Sequence, residues 1–456
     1  MSQQVTLDTQ ITNILKTWYT DEKFENLLFR NDPFVKSIKK NRIGGKTYNF
    51  GALYGRGGAV AGDYTVAVPA AASRSQNAEF AVPPGRIHSV FTLTQMEMLA
   101  SQQAKGAYVP ALINKMFSAT EALRKTMAKA AYGMGFGEQG NAVVFTTTTG
   151  SDTVDFGKTS TVIGLDIGSV FRVTNGALPS SPLRTSVNTV TAIDGTTVTF
   201  TSTANETWAA TDWVELQGSR DGSNNPNLPT GLGGWIPNLA DRTGATWTTY
   251  IGTAFYGVTR STATSRLAGG FYKRTGGDGY GDALLKGIQL ARQQGGVPDT
   301  LVINDEDFLT VIGEFNTKTT YMQQINTTPS NKGDNIVQKG LKSMGFQFST
   351  NYLSNVYDSP YCPKGKAWIT DSEVVEFAGL SNSSTPLDDG IQGNNPGAPD
   401  VTSVSGPDTT FKLIIDDYIN VQNAANTSEG PGAQVSLSVY GNFVVRNPAH
   451  CVAISF

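Results

Sequence analysis

Between Gly44 and Tyr132 the chain runs an extended arm, GGKTYNFGALYGRGGAVAGDYTVAVPAAASRSQNAEFAVPPGR, straight into a long amphipathic helix. The arm is rich in Gly and Ala, alternates like a strand and is punctuated like a turn, which predicts a two-stranded ribbon over residues 44–86. Its large apolar side chains are too few for a core of its own. An isolated hairpin is marginal in water, so such a ribbon needs a surface to lie on. No ligand chemistry elsewhere in the chain supplies one, and the expected burial partner is a second copy of the same chain. Tyr54, Arg56, Asp63, Tyr64 and Arg74 are the candidate intersubunit contacts. The arginines qualify because a planar, multi-donor guanidinium suits such contacts.

At 456 residues the chain can bury a substantial core and divide into two or three domains. Charged residues make up only 16%, and 49 glycines with abundant Thr, Ser and Asn favour β structure with many turns. A formal net charge of -3 excludes strong bulk attraction to nucleic acid or anionic membrane. No apolar run reaches membrane-spanning length. The opening MSQQVTLDTQITNILKTWYTDEK lacks the basic region and apolar core of a signal peptide, so a cytosolic product is expected. Cys362 and Cys451 are the only cysteines and lack metal-type spacing. They read as ordinary thiols, Cys451 buried in a terminal strand and Cys362 in a Pro-flanked loop, with a disulfide between them as the lesser alternative. His88 and His450 are the only histidines. No metal, cofactor or catalytic residue is expected.

Along the chain, Ile11, Ile14, Leu15 and Trp18 fall at helical spacing behind Asp8 or Thr9 as cap. A second short helix from Thr20 or Asp21 carries Phe24, Leu27 and Leu28 and ends at Pro33. Arg86–Leu99 alternates before turning helical. The main helix is predicted over Tyr108–Tyr132, with Pro110 in its first turn and Leu112, Ile113, Met116, Phe117, Leu123 and Met127 on one face. It spans on the order of 35 Å and stops at GMGFGEQG. Residues 139–232 turn Thr- and Val-rich. The runs VVFTTTT, SVFRVTN, SVNTVTAI, TTVTFTS and DWVELQG predict an inserted β-barrel or sandwich, with SRDGSNNPNLPTGLGG as its exit linker. A mixed region follows. It holds a helix over Asp282–Gln294, a buried strand Pro298–Ile303, a short helix Asp305–Ile312, and the strands GFQFSTNYL, KAWITD and EVVEFAG. A polar loop, 381–407, is expected to be mobile. Two strands, Phe411–Val421 and Val435–Ile454, close the chain, with a break or edge at Pro448.

This order of parts resembles the major capsid proteins of tailed bacteriophages, the Hong Kong 97-type fold. The local texture that carries the likeness is TDEKFENLLFRNDPF before the ribbon, GGKTYNFGALYGRGG opening it and GNFVVRNPAHCVAI closing the chain. The resemblance implies an α+β fold: an N-terminal arm 1–43, an extended loop 44–86, a peripheral domain of 87–138 and 408–456 on a spine helix, an inserted all-β domain 139–232, and an axial domain 233–407. It implies a structural subunit rather than an enzyme, self-assembling as hexamers and pentamers into an icosahedral head shell. Phage DNA would be held by weak non-specific contact, with no membrane involved. A separate scaffolding protein, a portal and decoration proteins are the implied partners, with assembly in the bacterial host cytoplasm and final location in the virion. Some family members cross-link through a lysine on the extended loop; this chain has none between Lys46 and Lys105. The ribbon also begins too early for a cleaved scaffolding segment to precede it. Two alternatives stand beside this reading: an encapsulin-type compartment shell, and a β-rich carbohydrate-binding or adhesive protein whose Thr-rich block is the binding module.

Other motifs have plain readings. Gly44–Thr47 (GGKT) looks like the end of a phosphate loop, but position 40 is Lys and no strand–loop–helix context follows. A hairpin entry is expected there. Gly276, Gly277, Gly279 and Gly281 precede a helix and could cradle an anion, although a loop with Asp282 as helix cap fits better. Asp416 and Asp417 are strand neighbours that point to opposite faces. Asp388 and Asp389 read as solvated loop charge. His88, in an alternating strand, reads as a hydrogen-bonded spacer rather than a pH-sensitive contact.

Overall fold

The computed structural model describes residues 32–55, 60–70, 76–94, 109–179, 181–221, 223–239, 242–318, 346–348, 351–380, 420–427 and 430–456. The expected helices before Pro33, Arg56, Arg74, the loop 381–407, and Asp388, Asp389, Asp416 and Asp417 lie outside these residues.

Asp32 opens the described chain with extended backbone, and its carboxylate accepts from Phe34 N at 2.9 Å and Val35 N at 3.3 Å. Pro33 therefore begins a helix, Pro33–Ser37, that was not expected from sequence. Its fixed φ and missing N–H suit a first turn, where the donor would have no partner. Strand β1 (Lys39–Ile43) follows, and GGKT links it to β2 (Tyr48–Gly55). The ribbon continues through a short tip helix, Tyr64–Ala70, into β3 (Gln76–Val82). Next come β4 (Gly85–Thr94) and the long helix Val109–Ala130, whose Leu123 and Met127 are buried as their spacing predicts.

The inserted segment holds β5 (Glu138–Asn141), β6 (Phe145–Thr146), β7 (Gly150–Asp155), β8 (Val170–Val173), β9 (Asn188–Asp194), β10 (Thr197–Ser202), β11 (Thr207–Trp208) and β12 (Trp213–Leu216). Six of these form one sheet in the order β5-β12-β8-β9-β10-β7, and β6 pairs only with β11. The sheet ends on β5 and β7 instead of closing, so the insert is a small sandwich and not a barrel. Its interior is aromatic. Phe200 stacks on Trp208 at 5.6 Å and meets Phe171 edge-on at 5.3 Å, with Val154, Val190, Val198 and Val214 around them. The β9–β10 turn is the expected Asp194-Gly195, with Gly195 at φ +60°, where only a residue without Cβ sits freely.

The insert is clamped to the long helix. Lys125 pairs with Asp166 at 2.6 Å, and the buried Lys129 ammonium donates to the Ser160 and Tyr361 carbonyls. Burial pulls that lysine down to about 8. The expected exit linker is not a linker at its far end, because residues 229–238 are all buried. Gly231 passes so close to the end of the long helix that a Cβ would sit 2.1 Å from the Ala131 carbonyl oxygen. The glycines written as loop punctuation are there for close backbone approach.

The remaining strands are β13 (Gly270–Lys273), β14 (Thr300–Ile303), β15 (Phe346–Phe348), β16 (Asn351–Leu353), β17 (Asn355–Asp358), β18 (Lys366–Thr370), β19 (Val375–Leu380), β20 (Asn420–Thr427), β21 (Gly430–Val445) and β22 (Val452–Ser455). GFQFSTNYL, expected as one strand, is split between β15 and β16, which pair antiparallel. The helix expected over Asp305–Ile312 runs on to Lys318. Of the first closing strand, expected over Phe411–Val421, only Asn420 and Val421 lie among the described residues, at the start of β20; the second divides at Pro448 into β21 and β22.

One sheet runs β1-β19-β21-β20, with β4 also on β21; another runs β13-β22-β18-β14-β17. This corrects the expected partition at two points. Residues 375–380, assigned with 233–407, pair instead with β1 and β21. Residues 452–455, assigned with 408–456, enter the other sheet between β13 and β18. The short turn Pro448–His450 carries the chain across. Each sheet thus borrows a strand from the other's stretch of sequence, and the main cluster of buried side chains draws on both.

Candidate assembly interface

The ribbon is built in two halves. In the base, Phe50 faces Phe80 across the β2–β3 register and the rings stack at 5.3 Å. Trp235 lies 5.9 Å from Phe50 and 5.3 Å from Phe80, and both Phe80 and Trp235 are fully buried. Ala81 N donates to the Tyr256 carbonyl at 3.0 Å, which ties β3 to the body through the main chain. The expectation that the whole ribbon finds burial only in another molecule is therefore wrong for its base. Two phenylalanines suffice there because Trp235, Phe255 and Tyr256 supply the rest of the aromatic cluster.

A polar latch fixes the same half. Glu376, 3% exposed on β19, accepts from Tyr48 OH at 2.8 Å, Arg446 Nε at 2.8 Å and Asn41 Nδ2. Arg446 Nη2 also donates to Tyr48 OH at 2.9 Å. Four strands or strand ends meet on one carboxylate. The buried anion raises the Arg446 pKa, while burial first and then the Glu376 hydrogen bond raise that of Tyr48. Arg266 Nη1 donates to the Tyr54 carbonyl at 2.6 Å, just where the ribbon leaves the body. Glu376, Arg446 and Arg266 were not expected from sequence. They lie more than 200 residues from the ribbon residues they contact, and no local signal marks them.

Among the described residues, the outer half shows no such support. Leu53, Val60, Tyr64, Val66 and Val68 are 50–81% exposed. Of the eleven exposed large apolar side chains among the described residues, these five fall within one short stretch. Clustering of this kind is the pattern of a contact surface, where scattered apolar side chains would not be. Of the candidate contacts, Tyr64 stands fully on this surface. Asp63 caps the tip helix: its Oδ1 accepts from Thr65 N and Thr65 Oγ1, both at 2.9 Å, which lowers its pKa. Tyr54 OH donates across the ribbon to Gln76 Oε1 at 3.3 Å.

The remaining motifs resolve locally. His88 Nδ1 lies 2.7 Å from Ser438 Oγ on β21, and burial, then Arg86, lowers its pKa. The glycines before helix Tyr280–Gln293 do not leave an open anion cradle. Glu314 Oε2 accepts from Tyr280 N at 2.5 Å and Gly281 N at 3.3 Å. Asp282 is not the cap; it sits three residues on and returns its carboxylate to Gly279 N at 3.4 Å. Cys362 and Cys451 are free, buried thiols, with no disulfide between them. Burial pushes the Cys362 thiol well up and Cys451 up to about 12. Ellman's reagent at pH 8 should therefore find no reactive thiol in the native chain and two after guanidinium denaturation. A thiol titrating in the native protein would show that this part of the core opens. Among the described residues no group of three or more His, Cys, Asp or Glu could hold a metal ion, and no helix is long and apolar enough to cross a membrane.

No family model and no curated protein matches the chain. Its likenesses are to solved structures. A chain of the cyanophage A-1(L) capsid asymmetric unit is 11% identical, with TM-score 0.48 over 93% of this chain and 92% of that one. A chain from Mycobacterium phage Bobi is 10% identical, with TM-score 0.39 over 93% and 90%. A chain of the holo-SrpI encapsulin complex from Synechococcus elongatus PCC 7942 is 7% identical, with TM-score 0.38 over 92% and 86%. At these identities and scores, function has to come from the chain's own geometry.

Proposed function

We propose that this chain is a major capsid protein of the Hong Kong 97 type, a structural subunit that self-assembles into an icosahedral phage head shell. The observation that carries the reading is the two-part ribbon: a base locked into its own subunit and a tip that concentrates exposed apolar side chains. A ribbon anchored at one end and apolar at the other is built to reach a neighbour. Tyr64 and its apolar neighbours are the contacting side chains, and Tyr54, Arg56, Asp63 and Arg74 are the further candidate contacts.

In this reading the long helix is the spine of the peripheral domain, the sheet β13-β22-β18-β14-β17 with helix Tyr280–Gln293 is the axial domain facing capsomer centres, and the sandwich is an insertion. Residues 1–43 form the N-terminal arm. A separate scaffolding protein, a portal and decoration proteins complete the particle, and the packaged DNA is held by weak non-specific contact. The shell forms in the bacterial host cytoplasm and becomes the virion head.

Deleting Gly55–Asn77 leaves Ala52 and Ala78 still paired and the aromatic base intact, so the chain should fold as before. The expected product is a soluble monomer with an unchanged unfolding midpoint and no shells in negative-stain electron microscopy. Normal shells from that deletion would remove the proposal.

A further inference from the structure

We propose that β1 and the turn after it form a phosphate-contacting surface for a nucleic acid duplex. The inference rests on the shell reading above and names where its subunit would hold the enclosed DNA. Residues 33–62 contain six Lys and Arg and not one Asp or Glu, in a chain with 38 acids. A net charge of -3 gives the whole chain no pull on a polyanion, so any attraction has to be local. Lys36, Lys39 and Lys46 are exposed and enter no ion pair among the described residues. β1 lies at the edge of its sheet and, among the described residues, pairs only with β19. The one acid on β19 is Glu376, opposite Lys39 in the register. It is buried and already accepts from Asn41, Tyr48 and Arg446. The three lysines therefore face solvent with no counter-charge from the neighbouring strand.

The GGKT turn, which is no nucleotide loop, supplies the rest. Gly44, Gly45, Lys46 and Thr47 are all exposed. Gly45 sits at φ +104°, and a Cβ there would meet nothing within 4 Å, so the main chain is open to solvent on that side. Among the described residues none of the four backbone N–H groups donates to another main-chain carbonyl. Lysine ammoniums, threonine hydroxyls and free backbone N–H groups are the donors that hold phosphates without reading base sequence. Lysine suits such a contact because a point charge on a flexible stem can follow phosphates in any register. From Asp32 to Ala52 no large apolar side chain is exposed among the described residues. A protein partner would find no apolar centre to bury there, which favours a nucleic acid over an acidic protein segment.

The test combines Lys36→Gln, Lys39→Gln and Lys46→Gln in the full chain, held below the concentration at which shells form. Binding to a fluorescent DNA duplex of random sequence is followed by anisotropy across a salt series. Each lysine that meets a phosphate adds about 0.9 to the slope of log K against log salt, so the triple variant should lose about 2–3 from that slope and at least about tenfold in affinity at about 50 mM salt. All three side chains are exposed, so the melting temperature should not move. Lys158→Gln with Arg292→Gln, exposed cations elsewhere on the chain, should leave the slope at its wild-type value. An unchanged slope in the triple variant overturns the proposal, as does a control pair that lowers it equally per charge. A triple variant that keeps its DNA affinity but aggregates would make the lysines guards of an open sheet edge, and binding to phosphatidylserine vesicles in place of the duplex would make the partner a membrane; either overturns the proposal. Each of these results leaves the shell reading standing. A wild-type chain that forms no shell or capsomer in negative stain overturns that reading itself.

Discussion

Trp235→Ala is expected to lower the free energy of unfolding by about 3–5 kcal/mol, the usual range for removing a large aromatic from a packed core. Trp235 is fully buried at the centre of an aromatic group, with Phe255 at 5.1 Å and Tyr256 at 5.6 Å besides the two ribbon phenylalanines. Its indole N–H donates to the Phe443 carbonyl at 2.7 Å, so truncation also strands a buried acceptor on β21. The glycines at 231 and 233 hold the local backbone hard against the end of the long helix, so the site cannot collapse to fill the void. The ribbon base loses its floor at the same time. Proteolysis within the ribbon should therefore accelerate more than cleavage of the inserted sandwich, whose core is separate. The check is a denaturant midpoint combined with limited proteolysis. A loss under about 1 kcal/mol, or uniform cleavage across the chain, would show that Trp235 is not the support of the ribbon.

The second large effect is Asp32→Ala, also about 3–5 kcal/mol. The carboxylate caps helix Pro33–Ser37, which is worth about 1 kcal/mol. It also accepts from Tyr132 OH at 2.8 Å and Ser359 Oγ at 2.6 Å, all within the buried core. Alanine leaves both hydroxyls without that acceptor, at about 1–3 kcal/mol each. Asp32 thus joins the N-terminal segment, the end of the long helix and the loop before Cys362 in one contact. Asparagine keeps the cap and an acceptor oxygen and should recover roughly half of the loss. Equal loss in Asn and Ala would mean that charge, rather than hydrogen bonding, dominates; no loss in either would remove the network from the account of stability.

Much of the local structure was legible before any coordinates. The 3.6-residue spacing of Leu123 and Met127 gave the long helix, and alternation with Asp-Gly punctuation gave the strands of the insert. These signals are local: helix and strand periods are written in neighbouring residues. The errors share the opposite character. The helix that opens at Pro33 went unread because Asp32 was not seen as its cap, and Gly231 read as loop because nothing nearby in sequence shows the carbonyl it approaches. The exchange of β19 and β22 between sheets could not be read at all, since both are plain apolar strands that would suit either one.

By itself, then, the sequence determined the elements, the inserted β-rich block and a ribbon short of large side chains. Only the tertiary structure decided which half of that ribbon packs on the body of its own chain. Trp235, Arg266, Glu376 and Arg446 reach it from more than 150 residues away. Contacts at that separation depend on how the chain packs, and packing leaves no periodic trace in the sequence.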